Sequence, residues 1–523
     1  MTSQLPRVTY SNVGADFSGV HDLLDMKIQQ EAATLLGKKW GNIIGARNDD
    51  PDGKLFKVVS PLDHDILIGE FTEASPGAVG RAIEAADAAF KTWSKTPLGD
   101  RLKLMRRWGE ELQRRKHDIA IAALFEVGKS RMEAAGEAEE ALDLVEYYAL
   151  QMEENVGFRK PLNQVLKGET TESVMLPLGV FGVIAPFNFP VALVVNMIAA
   201  AIVTGNTVVL KPSPYCGLTA RLVADCACSA GIPAGVLNLV VGGDAVGEAL
   251  VNASRIAGLV FTGSNRVGMS IFHRLNQGRF AKPVIAEMGG KNPAYVTSNA
   301  DLSVAAEGVA RSAFGLQGQK CSSCSVAYVD KKIRNDFVAQ LVDFAGKLSL
   351  GDPRLRSTFM GPVYNAASYQ RFQTAVQDSH RDGKILTGGG RLSGDIYDRG
   401  YYVQPTVVEF SSSHRLTREE LFLPFVAIRA VDGLDAAIME GNDVEYGLAA
   451  GVYSKDKSEI DRFLASAEAG VLYANRRSGA TTGAWPGVQS FCGWKGSGVS
   501  HKGGLGPNFL PQFMREQSRT LMS

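Results

Sequence analysis

The chain has 523 residues, 45% hydrophobic and 21% charged, the ordinary mixture of a soluble globular protein with material for two or three cores. Lys plus Arg and Asp plus Glu both number 55, so the formal net charge is zero and neither nucleic acid nor an acidic membrane surface is called for as a partner. Six cysteines are too few for a disulfide framework and fit a reducing, cytoplasmic setting.

Met1–Tyr10 is polar and lacks the apolar core of a secretory signal. Ser75 followed by Pro76 predicts an N-cap and first turn, after which Val79, Ile83, Ala86, Phe90 and Trp93 recur at helical spacing. Gly99-Asp100 starts a second helix with Leu104, Met105, Trp108 and Leu112 on one face. A third runs from Ser130 to Met152, and most of its acids (Glu137, Glu139, Glu140, Asp143) are expected on a solvated face. Val174 to Leu210 contains no charged residue, but Pro177, Pro186 and Pro190 interrupt it. A lone membrane span needs about 20 apolar residues; this stretch reads instead as buried strand, turn, buried helix and buried strand.

From Gly179 short β-rich runs (179–185, 207–212, 236–242, 256–264) alternate with helix-like stretches, the pattern of parallel βαβ units in an open, doubly wound sheet. Ligands of such sheets collect at the carboxyl ends of strands, where Asn188, Lys211 and Ser264 fall. No GxGxxG follows any of these strands, which argues against a standard Rossmann grip on pyrophosphate but not against nucleotide binding. A second alternating region runs from about Glu287 to about Asn475. The tail after Arg477 is rich in Gly and Ser and ends in FLPQFMREQSRTL, a strand and an arm of the kind that packs on another subunit.

Cys321 lies in GQKCSSC, where a glycine lets the backbone bend and Lys320 favours the nucleophilic thiolate. A merely buried cysteine, a redox dithiol with Cys324, or half a zinc site are the alternatives, although the only other close pair, Cys226 and Cys228, has no His cluster beside it. Glu287, in EMGGKNP after the apolar strand PVIA, is placed for a raised pKa and general-base work, or is a solvated turn carboxylate. Asn188 lies between two prolines in APFNFP, where a locked amide suits an oxyanion or simply satisfies its own turn. Lys211 ends a strand in LKPSP, and Glu420 lies in EELFLPF, within reach of sugar hydroxyls.

Together PFNFP, LKPS, FTGS, EMGGKNP, GQKCSS, EELF, YGLAAGVYS and the Gly-rich terminal block resemble, in order, the motifs of the aldehyde dehydrogenase superfamily from about residue 50 onward. That resemblance implies an α/β fold. Residues 1–155 and 180–288 would form an open parallel-sheet nucleotide-binding domain with N-terminal helices. Residues 289–495 would form an α/β catalytic domain, and 156–179 with 496–523 a β oligomerisation arm. It further implies Cys321 as nucleophile, Asn188 and the Cys321 backbone N–H as oxyanion donors, and Glu287 as general base. The implied cofactor is NAD, held by Pro186, Phe187, Lys211, Ser213, Gly243, Gly247, Phe261, Gly263, Ser264, Glu420 and Phe422. No metal is implied, and the partners are a small aldehyde and further copies of the chain in a homodimer or larger assembly. Pro214 stands where many relatives carry a glutamate for the ribose hydroxyls, so NADP is also admitted.

Several details are similar to the branch acting on glutamate γ-semialdehyde, the open form of pyrroline-5-carboxylate. There Ser322, Gly483 and Ala484 would hold the α-carboxylate, Glu140 the amine, and Phe187 with Phe491 would sandwich the stem. Departures are Cys492 for a usual glycine, FLP at 422–424 for Phe-Gly-Pro, and Trp485-Pro486 within a longer terminal block. Another aliphatic, aromatic or semialdehyde substrate is the alternative. A non-redox cysteine hydrolase lacks a histidine motif with Cys321, and a CoA-acylating relative would have no use for Glu287.

Overall fold

A computed structural model describes residues 6–9, 16–49, 53–479 and 485–522. The helices that frame the site are α1 (Ser18–Leu35), α2 (Pro76–Trp93), α3 (Leu98–Val127), α4 (Arg131–Glu154), α5 (Ala192–Val203), α6 (Gly217–Ser229), α7 (Asp244–Val251) and α8 (Asn265–Leu275). The start signals hold locally: Ser75 Oγ accepts the Ala78 N–H at 3.1 Å at the head of α2, and the Ser130 side chain caps α4 through the Glu133 N–H. Almost all of α5 is buried, and no helix among the described residues is long and apolar enough to cross a membrane. From 180 to 210 the charge-free stretch is core, with α5 packed between α4 and the sheet, while 175–177 is only partly buried.

Among the described residues there are two seven-stranded sheets. In the first the spatial order is 284–287, 256–262, 180–184, 207–211 and 237–239, all parallel, continued by the antiparallel pair 42–44 and 47–49. The chain starts at 180–184, adds 207–211 and 237–239 on one side, then returns to add 256–262 and 284–287 on the other. The reversal leaves a crevice beyond the ends of 180–184 and 256–262, where open α/β sheets take their ligands. The second sheet runs 384–387, 406–409, 425–431, 324–330, 292–296, 449–453 and 471–474, parallel except at 384–387. Its neighbouring strands 292–296 and 324–330 carry EMGGKNP and GQKCSSC at their leading ends. A smaller antiparallel sheet joins 514–522 to 169–177 over nine residue pairs, with 159–161 on its other edge.

The acids of α4 correct the solvated-face expectation. Glu137, Glu139 and Glu140 are all buried, because α4 lies between α3 and α5 with the segment 6–9 against it. Each is matched to its surroundings. Glu137 pairs with Lys129, both side chains being 0% exposed, and accepts the N–H groups of Val191 and Ala192 at 2.8 and 3.0 Å, at the start of α5. Glu139 pairs with Lys116 and Arg7. Asp143 accepts from Arg7 and from the indole of Trp485, each at 2.7 Å. Helical spacing locates a face but not the neighbour that covers it.

Candidate active site

Two cavities meet at Cys321. The larger, about 1320 Å³, is the crevice of the first sheet; the smaller, about 580 Å³, lies under α4 and α5. Cys321 lines both, so its sulfur stands at the junction.

The loop that carries Cys321 is held from several sides. Leu316 and Gln317 take left-handed backbone conformations just before it (φ 48° and 56°), an uncommon arrangement for such residues that the surrounding contacts must maintain. Asn292, at the head of its strand, donates through Nδ2 to the carbonyls of Cys321 (2.7 Å) and Ser323 (2.9 Å), while its Oδ1 accepts the Ala449 N–H. The Asn188 amide donates one hydrogen to the Gln319 carbonyl at 2.9 Å, and a second hydrogen remains on the same nitrogen. The Cys321 thiol approaches the Glu287 carboxylate, Sγ to Oε1 3.8 Å.

Electrostatics at this pair run opposite to the expectation from Lys320. That ammonium is held by Glu133 at 2.9 Å and is not a thiolate-stabilising charge. Burial pushes the Cys321 thiol well above its usual range, and the charges of Glu287 and Glu420 push the same way against backbone N–H groups. Burial also lifts the Glu287 carboxyl to about 8, with the hydrogen bond from Cys321 acting in the opposite sense. The resting pair is therefore a protonated thiol next to a carboxyl poised near neutrality, which suits proton transfer between them.

The larger cavity gathers Pro186, Phe187, Lys211, Ser213, Phe261, Gly263, Ser264, Glu420 and Phe422, all expected there, and adds Pro214, Asp244 and Arg371. Lys211 is desolvated, which lowers it to about 8, and its Nζ donates to the Pro212 carbonyl at 3.1 Å without a carboxylate partner within 4 Å among the described residues. Glu420 is held up near 7 by burial and accepts the Gly290 N–H at 2.9 Å. Arg371 reaches the Leu421 carbonyl and the Ser368 hydroxyl. Gly243 and Gly247 are not in the wall itself: Gly243 donates to Glu73 at 3.3 Å, and a Cβ on Gly247 would stand 3.4 Å from the Lys211 stem.

The smaller cavity brings Glu140, Ser322 and Phe491 together as expected and adds Phe189, Leu193, Lys320 and Leu505. Phe187 is a correction. It does not wall this chamber but lies flat on Tyr364 in the larger cavity, ring centroids 3.7 Å apart and planes 10° off parallel. The turn between Pro186 and Pro190 sends the two aromatic side chains to opposite cavities, and Phe189 takes the chamber side. Glu140 is pushed up to about 8 by burial and then by the neighbouring Glu137 charge. Gly483 and Ala484 lie outside the described residues. Cys324 begins a core strand with its Sγ toward the Val326 carbonyl, turned away from its partner in C-x-x-C.

Residues 48–518 match the aldehyde dehydrogenase family, and the chain belongs to it. The chain is 37% identical over 492 residues to the 1-pyrroline-5-carboxylate dehydrogenase of Geobacillus sp. (strain WCH70), covering 92% of this chain and 93% of that one. The solved structure of a mutant 1-pyrroline-5-carboxylate dehydrogenase of Thermus thermophilus superimposes with a TM-score of 0.92 at 31% identity over 100% of both chains. A Thermus 1-pyrroline-5-carboxylate dehydrogenase with bound NAD gives 0.90 at the same identity and coverage.

Proposed function

We propose that the protein oxidises L-glutamate γ-semialdehyde to glutamate with NAD. The observation that carries the oxidation is the junction itself: one thiol, 3.8 Å from a carboxyl poised near neutrality, opening on a long crevice and a short chamber at once. The crevice fits a dinucleotide. It lies at the reversal point of the first sheet, and the ammonium of Lys211 is buried in its wall, bonded to the Pro212 carbonyl and with no carboxylate within 4 Å among the described residues. Lys211, Ser213 and Ser264 would hold the cofactor on the sheet side, with Glu420 and Phe422 near the sulfur.

Glu287 takes the thiol proton, and the thiolate adds to the aldehyde carbon. The Asn188 amide and the Cys321 backbone N–H donate to the oxygen of the thiohemiacetal. NAD, when bound, supplies the acceptor for the hydride that this carbon loses. A thioester is left on Cys321; Glu287 releases the first proton to solvent, then takes one from the water that attacks the thioester, and the acid leaves as the Cys321 sulfur is restored.

The chamber supports an amino-acid aldehyde. The Glu140 carboxyl and the Ser322 hydroxyl share a small cavity with Lys320, which Glu133 holds, and its walls include Leu144, Phe189, Leu193, Asn196, Phe491 and Leu505. A buried carboxyl and a hydroxyl in a small, mostly apolar chamber fit a substrate with an ammonium and a carboxylate at one end and a short stem. The test is NADH formation from pyrroline-5-carboxylate, succinate semialdehyde, hexanal and benzaldehyde. A kcat/KM at least tenfold higher for pyrroline-5-carboxylate is expected. Preference for hexanal or benzaldehyde overturns the substrate assignment while leaving the thiol chemistry, and acyl-CoA formed with added CoA overturns hydrolysis.

Residues 156–179 and 496–523 would join copies of the chain into a homodimer or larger assembly. The exposed Val165, Leu166, Leu521 and Met522 of the small sheet and its hairpin supply apolar surface for that contact. Six free thiols accord with work in the cytoplasm.

A further inference from the structure

The dinucleotide reading leaves open what meets the ribose at the end of the crevice formed by the first sheet. Lys211, Ser213, Pro214 and Asp244 wall that end. Proline offers no side-chain acceptor, and Glu420, the other acid of the crevice wall, is tied to Gly290 on the second-sheet side. Asp244 is the first residue of α7, is exposed, and lines the crevice. Residues three apart on a helix share a face, and Gly247, three after Asp244, faces the Lys211 stem: a Cβ there would stand 3.4 Å from it. The face of α7 that packs on Lys211 is thus the face that carries Asp244, and an ammonium and a carboxylate flank the same end.

We infer that Asp244 is the residue that selects the cofactor: it accepts from the vicinal ribose hydroxyls of NAD and disfavours the 2′-phosphate of NADP. This rests on the dinucleotide reading above. It also adjusts the expectation from Pro214. The carboxylate absent from that position is supplied from α7, across the crevice, so the chain prefers NAD and takes NADP poorly. A carboxylate about 6 Å from a phosphate carrying roughly two charges, in water, lowers affinity by about tenfold.

The test is calorimetric titration of the full-length protein with NAD and with NADP, for the wild type, Asp244→Asn, Asp244→Ser and Asp244→Glu. Wild type is expected to bind NAD at least tenfold more tightly. Asn and Ser should close that gap by about tenfold, chiefly through tighter NADP, and Glu should keep it. A Kd ratio within twofold of wild type in both Asn and Ser variants, or equal loss of both nucleotides, overturns the role of Asp244. Wild-type protein that binds neither nucleotide overturns the dinucleotide reading itself. Reduction rates with each cofactor, read beside the Kd values, should shift in the same direction.

Discussion

Replacing Lys129 with Met keeps most of the side-chain volume and removes one charge from a fully buried pair. Breaking such a pair from one side costs about 3–5 kcal/mol, because the partner is left as an uncompensated charge. Glu137 keeps two backbone donors, Val191 and Ala192 at the N-terminus of α5, which already favours an anion there. Those donors return part of the loss, while the ammonium–ring contact with Phe189 at 4.0 Å disappears with the charge. The balance is about 3 kcal/mol of destabilisation for Lys129→Met. The double variant Lys129→Met/Glu137→Gln, with no charge to strand, should recover to within about 1 kcal/mol of wild type. Urea unfolding followed by tryptophan fluorescence measures both. Since Val191 follows Asn188 by three residues, the single variant should also lower kcat more than the double one. A loss below about 1 kcal/mol in Lys129→Met, or a double variant no better than the single, refutes the view of this pair as the brace of the Asn188 turn.

Cys321→Ala should abolish NADH formation while calorimetry still detects NAD binding; residual turnover above background contradicts the covalent route. Asn188→Ala should lower kcat by about 100- to 1000-fold with little change in substrate affinity, the loss typical of one oxyanion donor, as steady-state kinetics would register. The Glu287 carboxyl, raised to about 8, is a competent base only when ionised, so turnover should climb with pH through about 8 and level above it. In Glu287→Gln both thiol activation and thioester hydrolysis lose their base, so turnover should collapse without a thioester accumulating by mass spectrometry after an acid quench, and the climb should vanish. Glu140→Gln should raise KM for pyrroline-5-carboxylate at least tenfold and leave hexanal kinetics within twofold; equal effects on both would deny the ammonium contact.

The strand ends carrying Asn188, Lys211, Ser264 and Glu287 were legible because short apolar runs bounded by Pro and Gly mark the edges of parallel strands, and polar residues there face a shared crevice. Family resemblance then joined residues more than a hundred positions apart. What stayed hidden depends on which element covers which. Glu137 and Glu139 have the helical spacing of a wet face, yet Lys129 and Lys116 arrive from a neighbouring helix and its end to take them inside. Glu133, which neutralises Lys320, and Asn292, which clamps the nucleophile loop, act through contacts at long sequence separation. Phe187 and Phe189 are near-identical in sequence context, and only the turn between two prolines decides which cavity each enters. Asp244 has no motif at all; its position follows from the closeness of α7, at Gly247, to the Lys211 stem.

The strand at 514–522 does more than extend an edge. Immediately before it the Phe513 carbonyl accepts from Asn206, whose own oxygen receives the N–H groups of Leu178 and Gly179 at the start of the first sheet. The Phe513 ring packs on Phe181 at 5.0 Å, and Tyr148 of α4 donates to Asn196 of α5 while accepting the Leu505 N–H. A nascent chain lacking residues 505–522 therefore has strand 180–184, α4 and α5 but not the groups that close around them. Because the contacts of Leu505 and Phe513 join residues more than 300 positions apart, loop closure over a long separation precedes their reward. Completion of the first sheet waits on residues translated after the elements they close around, and a product lacking residues 505–522 would expose the apolar helix α5 to other chains during synthesis.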